Sequence, residues 1–262
     1  PPPPILSGLV GSEMCIRDRI YLVYGILAYA VFFLTFIYSV LFVGNIYIPY
    51  PIDAASDASI ISSIIINCIL LSIFAVQHTV MARPKFKSFW TTIVPQQIER
   101  STYVWLSNLT LIILFIFWQP IEIVIWDFQG NLFGIFLTAM FWFGWFICLA
   151  ATFMLDHFDL FGLKQVYFNL RKRKVNEMAF KEVLFYRLVR HPIMTGFIIG
   201  FWATPVMSLG HLLFAIATTG YIYVAVKYFE EKDLVKSIGP EYIKYQQRVG
   251  MLLPYVGKKS NT

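Results

Sequence analysis

Long apolar runs broken by short polar stretches set the pattern of this chain, with little of the alternation that marks half-buried strands. A helix needs about 20 apolar residues to cross the hydrocarbon core of a bilayer, and runs of that kind cover Ile20 to Val43, Ile60 to Val80, Thr102 to Trp118 and Asn131 to Phe153. Two shorter runs follow, about Ile193 to Met207 and His211 to Tyr228; between them PVMSLGH, with Pro205, Ser208 and Gly210, has the chemistry of a tight turn. The pattern predicts an all-α polytopic membrane protein of about six transmembrane helices. Ahead of the fifth run, Asn176 to Arg190 gathers Met178, Val183, Leu184, Phe185 and Leu188 mostly on one side, predicting a helix lying in the membrane interface. After the sixth comes a polar tail, YFEEKDLVKSIGPEYIKYQQRVGMLLPY. The first nineteen residues, PPPPILSGLVGSEMCIRDR, fit neither a signal peptide nor a span, and residues 1-19 are read as a non-native or disordered segment.

Composition agrees with a membrane chain: of 262 residues 58% are hydrophobic, 18% aromatic and 14% charged, and the mean hydropathy is +0.66. That balance excludes an ordinary soluble surface. A net charge of +6 raises nucleic acid as a partner, but the cations gather in alternate loops, as a membrane protein arranges them, and no nucleic-acid partner is expected. The loops Gly44 to Ser59 and Ile121 to Gly130 hold only Asp53, Asp57, Glu122 and Asp127, whereas Met81 to Arg100 carries Arg83, Lys85, Lys87 and Arg100, and Lys164 to Arg190 carries RKRK at Arg171 to Lys174. The positive-inside rule then puts both termini and the polar tail in the cytoplasm, with membrane lipid as a partner and RKRK on its headgroups. Cys15, Cys68 and Cys148 have no metal or redox spacing, so neither a metal nor a disulfide framework is expected.

Chemistry-bearing residues collect at two places. Asp156, His157 and Asp159 lie in LDHFDLFG where the fourth run ends; two carboxylates around an imidazole can exchange a proton near neutral pH, though the same residues also suit a helix-end cap. Arg190 and His191 precede Pro192, which stops the interfacial helix from running on, and Gly196 permits close approach by a helix or a ligand. A tight hairpin returns Glu230 and Glu231 to the same membrane face, and Tyr242, Tyr245 and Arg248 share one helical face of the tail. Adjacent carboxylates persist when one is solvated and the other meets a cation, Arg190 or a cationic ligand. His78, in QHTVMARP, has no sequence partner for a heme and reads as a hydrogen-bonded interfacial residue.

In order, RHP-x-x-x-G, a short hairpin, EE, G-x-EY-x-x-Y and a terminal R-x-x-x-x-x-P closely resemble the C-terminal signature of the isoprenylcysteine carboxyl methyltransferase superfamily of membrane methyltransferases. QHTVMARPKFK, PQQIERSTYV, HFDLFGLKQV and FWATP-x-M-x-x-GHLLFA resemble the bacterial methanethiol S-methyltransferases and their NnrU-like relatives, and together the motifs cover nearly all of the chain after its first nineteen residues. The resemblance implies S-adenosylmethionine as cofactor, held by His191, Pro192, Gly196, Glu230, Glu231, Tyr242 and Tyr245, and a small thiol, methanethiol, as the acceptor that becomes dimethyl sulfide. Met194 stands where the wider superfamily usually has Tyr, which implies a narrower, more apolar pocket at the cofactor. Residues 20-155 then form a four-helix transmembrane region and 156-262 the catalytic region. In that reading His157 or Asp159 takes the thiol proton, Asp156 orients the imidazole and Arg190 stabilises the anion. Alternatives are methylation of an isoprenylcysteine carboxylate or a phospholipid amine, a nucleotide-dependent reductase, and a non-enzymatic NnrU-like membrane protein with a heme on His78 and His211. Charged groups are absent from the middle of the spans, which argues against a transporter.

Overall fold

The computed structural model describes residues 4–174 and 180–257, with side chains from residue 16 onward. Five helices are long and apolar enough to cross a membrane: Ile16–Val43, Ile60–Ala82, Glu99–Phe117, Leu132–Leu155 and Leu209–Ile238, with Pro192–Trp202 a shorter apolar helix. The protein is an all-α, multi-pass membrane protein. In chain order the elements are α1 (Pro4–Val43), α2 (Ile60–Ala82), α3 (Pro84–Trp90), α4 (Glu99–Phe117), β1 (Val124–Asp127), α5 (Leu132–Leu155), α6 (His157–Leu160), α7 (Leu163–Leu170), α8 (Pro192–Trp202), β2 (Val206–Ser208), α9 (Leu209–Val224), α10 (Glu231–Ile238) and α11 (Pro240–Arg248). A 3₁₀ turn occupies Leu184–Arg187, and a π-helical segment, Ala225–Glu230, joins α9 to α10.

The chain forms two compact units. The first comprises Pro1–Ile37, Val76–Ile112 and Asp156–Met178, the second Tyr38–Ala75, Ile113–Leu155 and Ala179–Thr262. In the first unit α1 packs on α4 and α7: Tyr24 Oη donates to Thr102 Oγ1 at 3.2 Å, and a Cβ at Gly25 would lie 2.6 Å from a Val166 methyl. Helix α1 extends into the segment set aside from the sequence, and Asp18 there is buried, accepting from Asn169 Nδ2 at 2.8 Å and pairing with Lys172.

In the second unit α5 and α8 are in intimate contact. A Cβ at Gly196 would lie 2.6 Å from Cys148 N and Gly144 O, and one at Gly144 would lie 2.6 Å from Gly200 N. Glycines at the crossing let two backbones touch, the usual way for helices to associate where apolar burial offers no preference over lipid. Pro192 at the first turn of α8 uses its preset φ and has no N–H to leave unsatisfied there.

Two expectations change with the fold. PVMSLGH is not a bare turn: Val206–Ser208 pairs antiparallel with Val124–Asp127 across a register shift, and Leu209 N and Gly210 N donate to Ile123 O and Ile121 O at 2.7 and 3.1 Å. Ser208 also caps α9, accepting from His211 N at 3.0 Å. Of the expected interfacial helix, Asn176 to Ala179 lie outside the described residues, and the remainder is extended chain followed by the 3₁₀ turn.

Replacing Gly196 with valine should force α5 and α8 apart, at a cost of about 1–3 kcal/mol or more for overpacking. Membrane yield and thermal unfolding of the purified variant measure it; wild-type yield and stability would contradict the packing described.

Candidate active site

The signature residues around Arg190 close into one buried polar lock in the second unit. The Glu231 carboxylate is its centre. Arg190 grips it in bidentate fashion, Nε to Oε1 at 2.8 Å and Nη2 to Oε2 at 3.0 Å. His191 Nε2 and Tyr242 Oη reach Oε1 at 2.8 and 2.9 Å, and Gln246 Nε2 donates to Oε2. Arg190 Nη1 donates onward to the main-chain carbonyls of Val249 at 2.6 Å and Gln246 at 3.2 Å. The C-terminal segment completes the frame: Arg190 N donates to Gly250 O at 2.8 Å, His191 N to Met251 O at 3.2 Å, and Thr195 Oγ1 to Leu252 O at 2.7 Å.

Burial separates adjacent glutamates. The Glu231 side chain is 5% exposed, that of Glu230 41%, and Glu230 lies 3.5 Å from His191 Nδ1. Both imidazole nitrogens thus face carboxylate oxygens, which only accept, so the doubly protonated ring fits. Burial by itself lowers the His191 pKa, but the carboxylates of Glu230 and Glu231 outweigh it and the group is pushed up to about 9. Tyr242 is pushed up by burial and then by Glu231, and Tyr245 and Tyr186 chiefly by burial, so all three phenols stay neutral donors. Tyr245 Oη donates to Tyr186 O, and Phe180 packs on both Tyr242 and Tyr245 with ring centroids 5.9 and 5.2 Å away.

The π segment sets which glutamate turns inward. One added residue in a helical turn rotates the downstream residues by about 100° relative to α9. Glu231 faces Arg190, while Glu230 stays half-exposed beside His191 Nδ1.

The residues expected at this site therefore divide by position. Arg190, His191, Glu231, Tyr242 and Tyr245 are brought together, each nearly inaccessible. Pro192 is buried at the start of α8, Gly196 lies against α5, and Met194 is half-buried on α8. Arg190 was expected beside an anionic thiolate; its Nε, Nη1 and Nη2 instead serve Glu231 and carbonyl oxygens. Gln246, 1% exposed, was not anticipated, and its one sequence signal is a glutamine in phase with the buried face of α11.

Asp156, His157 and Asp159 fall in the first unit. Asp156 caps α6, accepting from Asp159 N at 3.2 Å, and pairs with Lys164. Asp159 accepts from Gln165 Nε2 at 2.8 Å. His157 is 3% exposed; burial lowers its pKa, and its Nε2 meets Tyr29 Oη at 2.9 Å. Rings of Tyr29, Phe32, Phe158 and Phe161 surround it with centroids 5.0 to 6.4 Å away. A neutral imidazole in an aromatic cage can accept a proton near pH 7. Tyr29, 128 residues from its partner, was beyond the reach of sequence spacing. His78, near the end of α2, bonds Tyr103 Oη at 3.0 Å and Ser107 Oγ at 3.3 Å. Among the described residues no group of three or more His, Cys, Asp or Glu side chains is placed to hold a metal ion.

The chain is 48% identical over 234 residues to a methanethiol S-methyltransferase of Mycobacterium tuberculosis, covering 89% of this chain and 96% of that protein. It is 46% identical over 249 residues to a methanethiol S-methyltransferase of Crocosphaera subtropica, covering 95% and 97%. A nurim homolog of Drosophila pseudoobscura pseudoobscura is 32% identical over 170 residues, covering 62% and 66%. No family model and no solved structure matches the chain.

Because the His191 pKa in the folded protein, about 9, lies above its ordinary 6.5, the imidazolium stabilises the fold fully below pH 6.5 and the contribution is lost as pH rises through 9. Thermal unfolding between those limits should weaken with pH by up to about 3 kcal/mol in the wild type, and His191→Gln should flatten the slope; parallel slopes would contradict the charged pair. Glu231→Gln should cost about 3–5 kcal/mol by leaving Arg190 unpaired, and Tyr242→Phe about 1 kcal/mol.

Proposed function

The chain belongs to the methanethiol S-methyltransferase family, and from that premise we propose that it methylates methanethiol to dimethyl sulfide with S-adenosylmethionine at the cytosolic face of the bacterial inner membrane. It is a membrane methyltransferase; the donor, the sidedness and the residue roles are our reading. The observation that carries it is the pairing of a saturated Glu231 with a half-exposed Glu230 at the edge of one buried lock.

The groups at that edge fit such a donor. Glu230 offers carboxylate oxygens for an ammonium group or ribose hydroxyls, and Tyr228 and Phe229, which precede it in sequence and are 47% and 39% exposed, are aromatic faces of the kind that suit a sulfonium by cation–π attraction. When bound, S-adenosylmethionine supplies an electrophilic methyl whose sulfonium charge disappears on transfer. Arg190, His191, Glu231, Tyr242 and Gln246 hold Glu230 and the α8 terminus in place, since their polar atoms already serve one another. Met194, half-buried on α8, adds an apolar contact.

A thiol attacks well only as thiolate, so a base must take its proton. On chemical grounds His157 is that base: burial keeps it neutral, and Tyr29 Oη fixes one ring nitrogen. Asp156 and Asp159 build the α6 turn that presents it.

Purified protein with labelled S-adenosylmethionine and a panel of thiols tests the reading. Methanethiol should be methylated far faster than a farnesylated cysteine, and the reverse ranking would move the substrate to a prenylated acceptor. Glu230→Gln should raise the donor KM while leaving the protein folded. His157→Ala should lower kcat by about 10²–10⁴-fold with donor affinity kept; loss of donor binding instead would sink the base assignment.

A further inference from the structure

From the end of α2 to the first turn of α4 the chain carries Arg83, Lys85, Lys87 and Arg100, with Glu99 the single acid in the stretch from Arg83 to Arg100. It leaves one membrane-crossing helix at Ala82 and enters the next at Glu99, so it lies where hydrocarbon gives way to headgroups. Its apolar side chains suit that depth. Phe89 and Ile93 are 59% and 64% exposed, and Trp90 stacks on Phe86 with centroids 5.6 Å apart.

Four of the five charged groups of this stretch are cations. Lys87 is half-buried; burial first, and then the nearby guanidiniums of Arg100 and Arg83, hold its ammonium below the usual lysine range, with Glu99 acting the other way. Neither the Lys87 ammonium nor the Arg100 guanidinium makes a hydrogen bond or ion pair among the described residues. Trp90 Nε1–H is buried with no acceptor there, and Lys87 and Trp90, three apart on α3, share a face. Arg83 stands at the N-cap position of α3, one turn before Lys87, and donates Nε to Thr79 O at 3.1 Å, which fixes its stem at that end of the helix.

Like charges drawn together in a half-buried, apolar setting are stabilised by an anion with several acceptor oxygens. A phosphodiester at headgroup depth offers them, and Phe89 and Ile93 provide the adjoining surface for acyl chains. We propose that Arg83, Lys87 and Arg100, with the Trp90 indole N–H, form a binding site for the phosphate headgroup of an anionic phospholipid. These cations outnumber the single Glu99 carboxylate, so the site stays net positive. A lipid of net negative charge neutralises it, whereas a zwitterionic lipid brings a cation of its own. The site stands apart from the methyl-donor reading and does not rest on it.

The test is native mass spectrometry of the purified full chain with added dioleoylphosphatidylglycerol, dioleoylphosphatidylcholine or inorganic phosphate. Phosphatidylglycerol should be retained in preference to phosphatidylcholine, and inorganic phosphate should not displace it. Lys87→Gln and Arg100→Gln should each weaken retention about fivefold, as expected for one surface cation. Lys87→Arg should preserve it, and Lys85→Gln, on the exposed side of α3, should change nothing. Equal retention of the two lipids by the unmodified chain overturns the proposal whether or not the variants fold. Displacement by phosphate, or an equal loss in Lys85→Gln, overturns it too.

Discussion

A carboxylate withdrawn from water must be surrounded by donors, and Glu231 meets that demand with an arginine fork, an imidazolium, a phenol and a side-chain amide. Those donors come from the start of α8 and from α11, and Arg190 passes the connection on to the carbonyls of the C-terminal segment. One buried charge therefore ties together stretches from Val189 to Gly250. Removing Arg190 or Glu231 leaves the other's charge unpaired in the interior, whereas Tyr242 and Gln246 add neutral donors to the same carboxylate.

The same arrangement gives adjacent glutamates different work. Glu231 spends its acceptor capacity inside the protein, and Glu230, one residue earlier at the end of the π segment, keeps a carboxylate toward the surface. An anion that is half-exposed and rigidly backed is free to meet a cationic ligand. A regular helix through Ala225–Glu230 would change the phase of the two carboxylates, so the irregularity serves the site.

Support for α8 comes from the bilayer-embedded crossing with α5. Gly144, Gly196 and Gly200 bring the backbones into contact, and that closeness holds Arg190 and His191 at the head of α8 in register with the tail. At the other end of α9 the β1–β2 ribbon and the Ser208 cap, which also bonds Asp53, fix where the helix begins.

Much of this was legible in the sequence. The apolar runs located the first four long spans to within a few residues, because crossing hydrocarbon constrains length and composition locally, whereas the last long helix ends at Ile238, ten residues past the expected Tyr228. The RHP, EE and EY-x-x-Y motifs marked the residues of the lock because each is chemically conspicuous. Tertiary structure alone decided what those residues do. Which glutamate turns inward depends on a π segment that local propensity does not encode, and whether Gly196 meets a ligand or a helix depends on where α5 passes. Gln246, Tyr29 and the strand pairing of Val206–Ser208 depend on partners far along the chain. Local chemistry names the groups that can act; their burial and partners, and hence their roles, are properties of chain segments meeting in space.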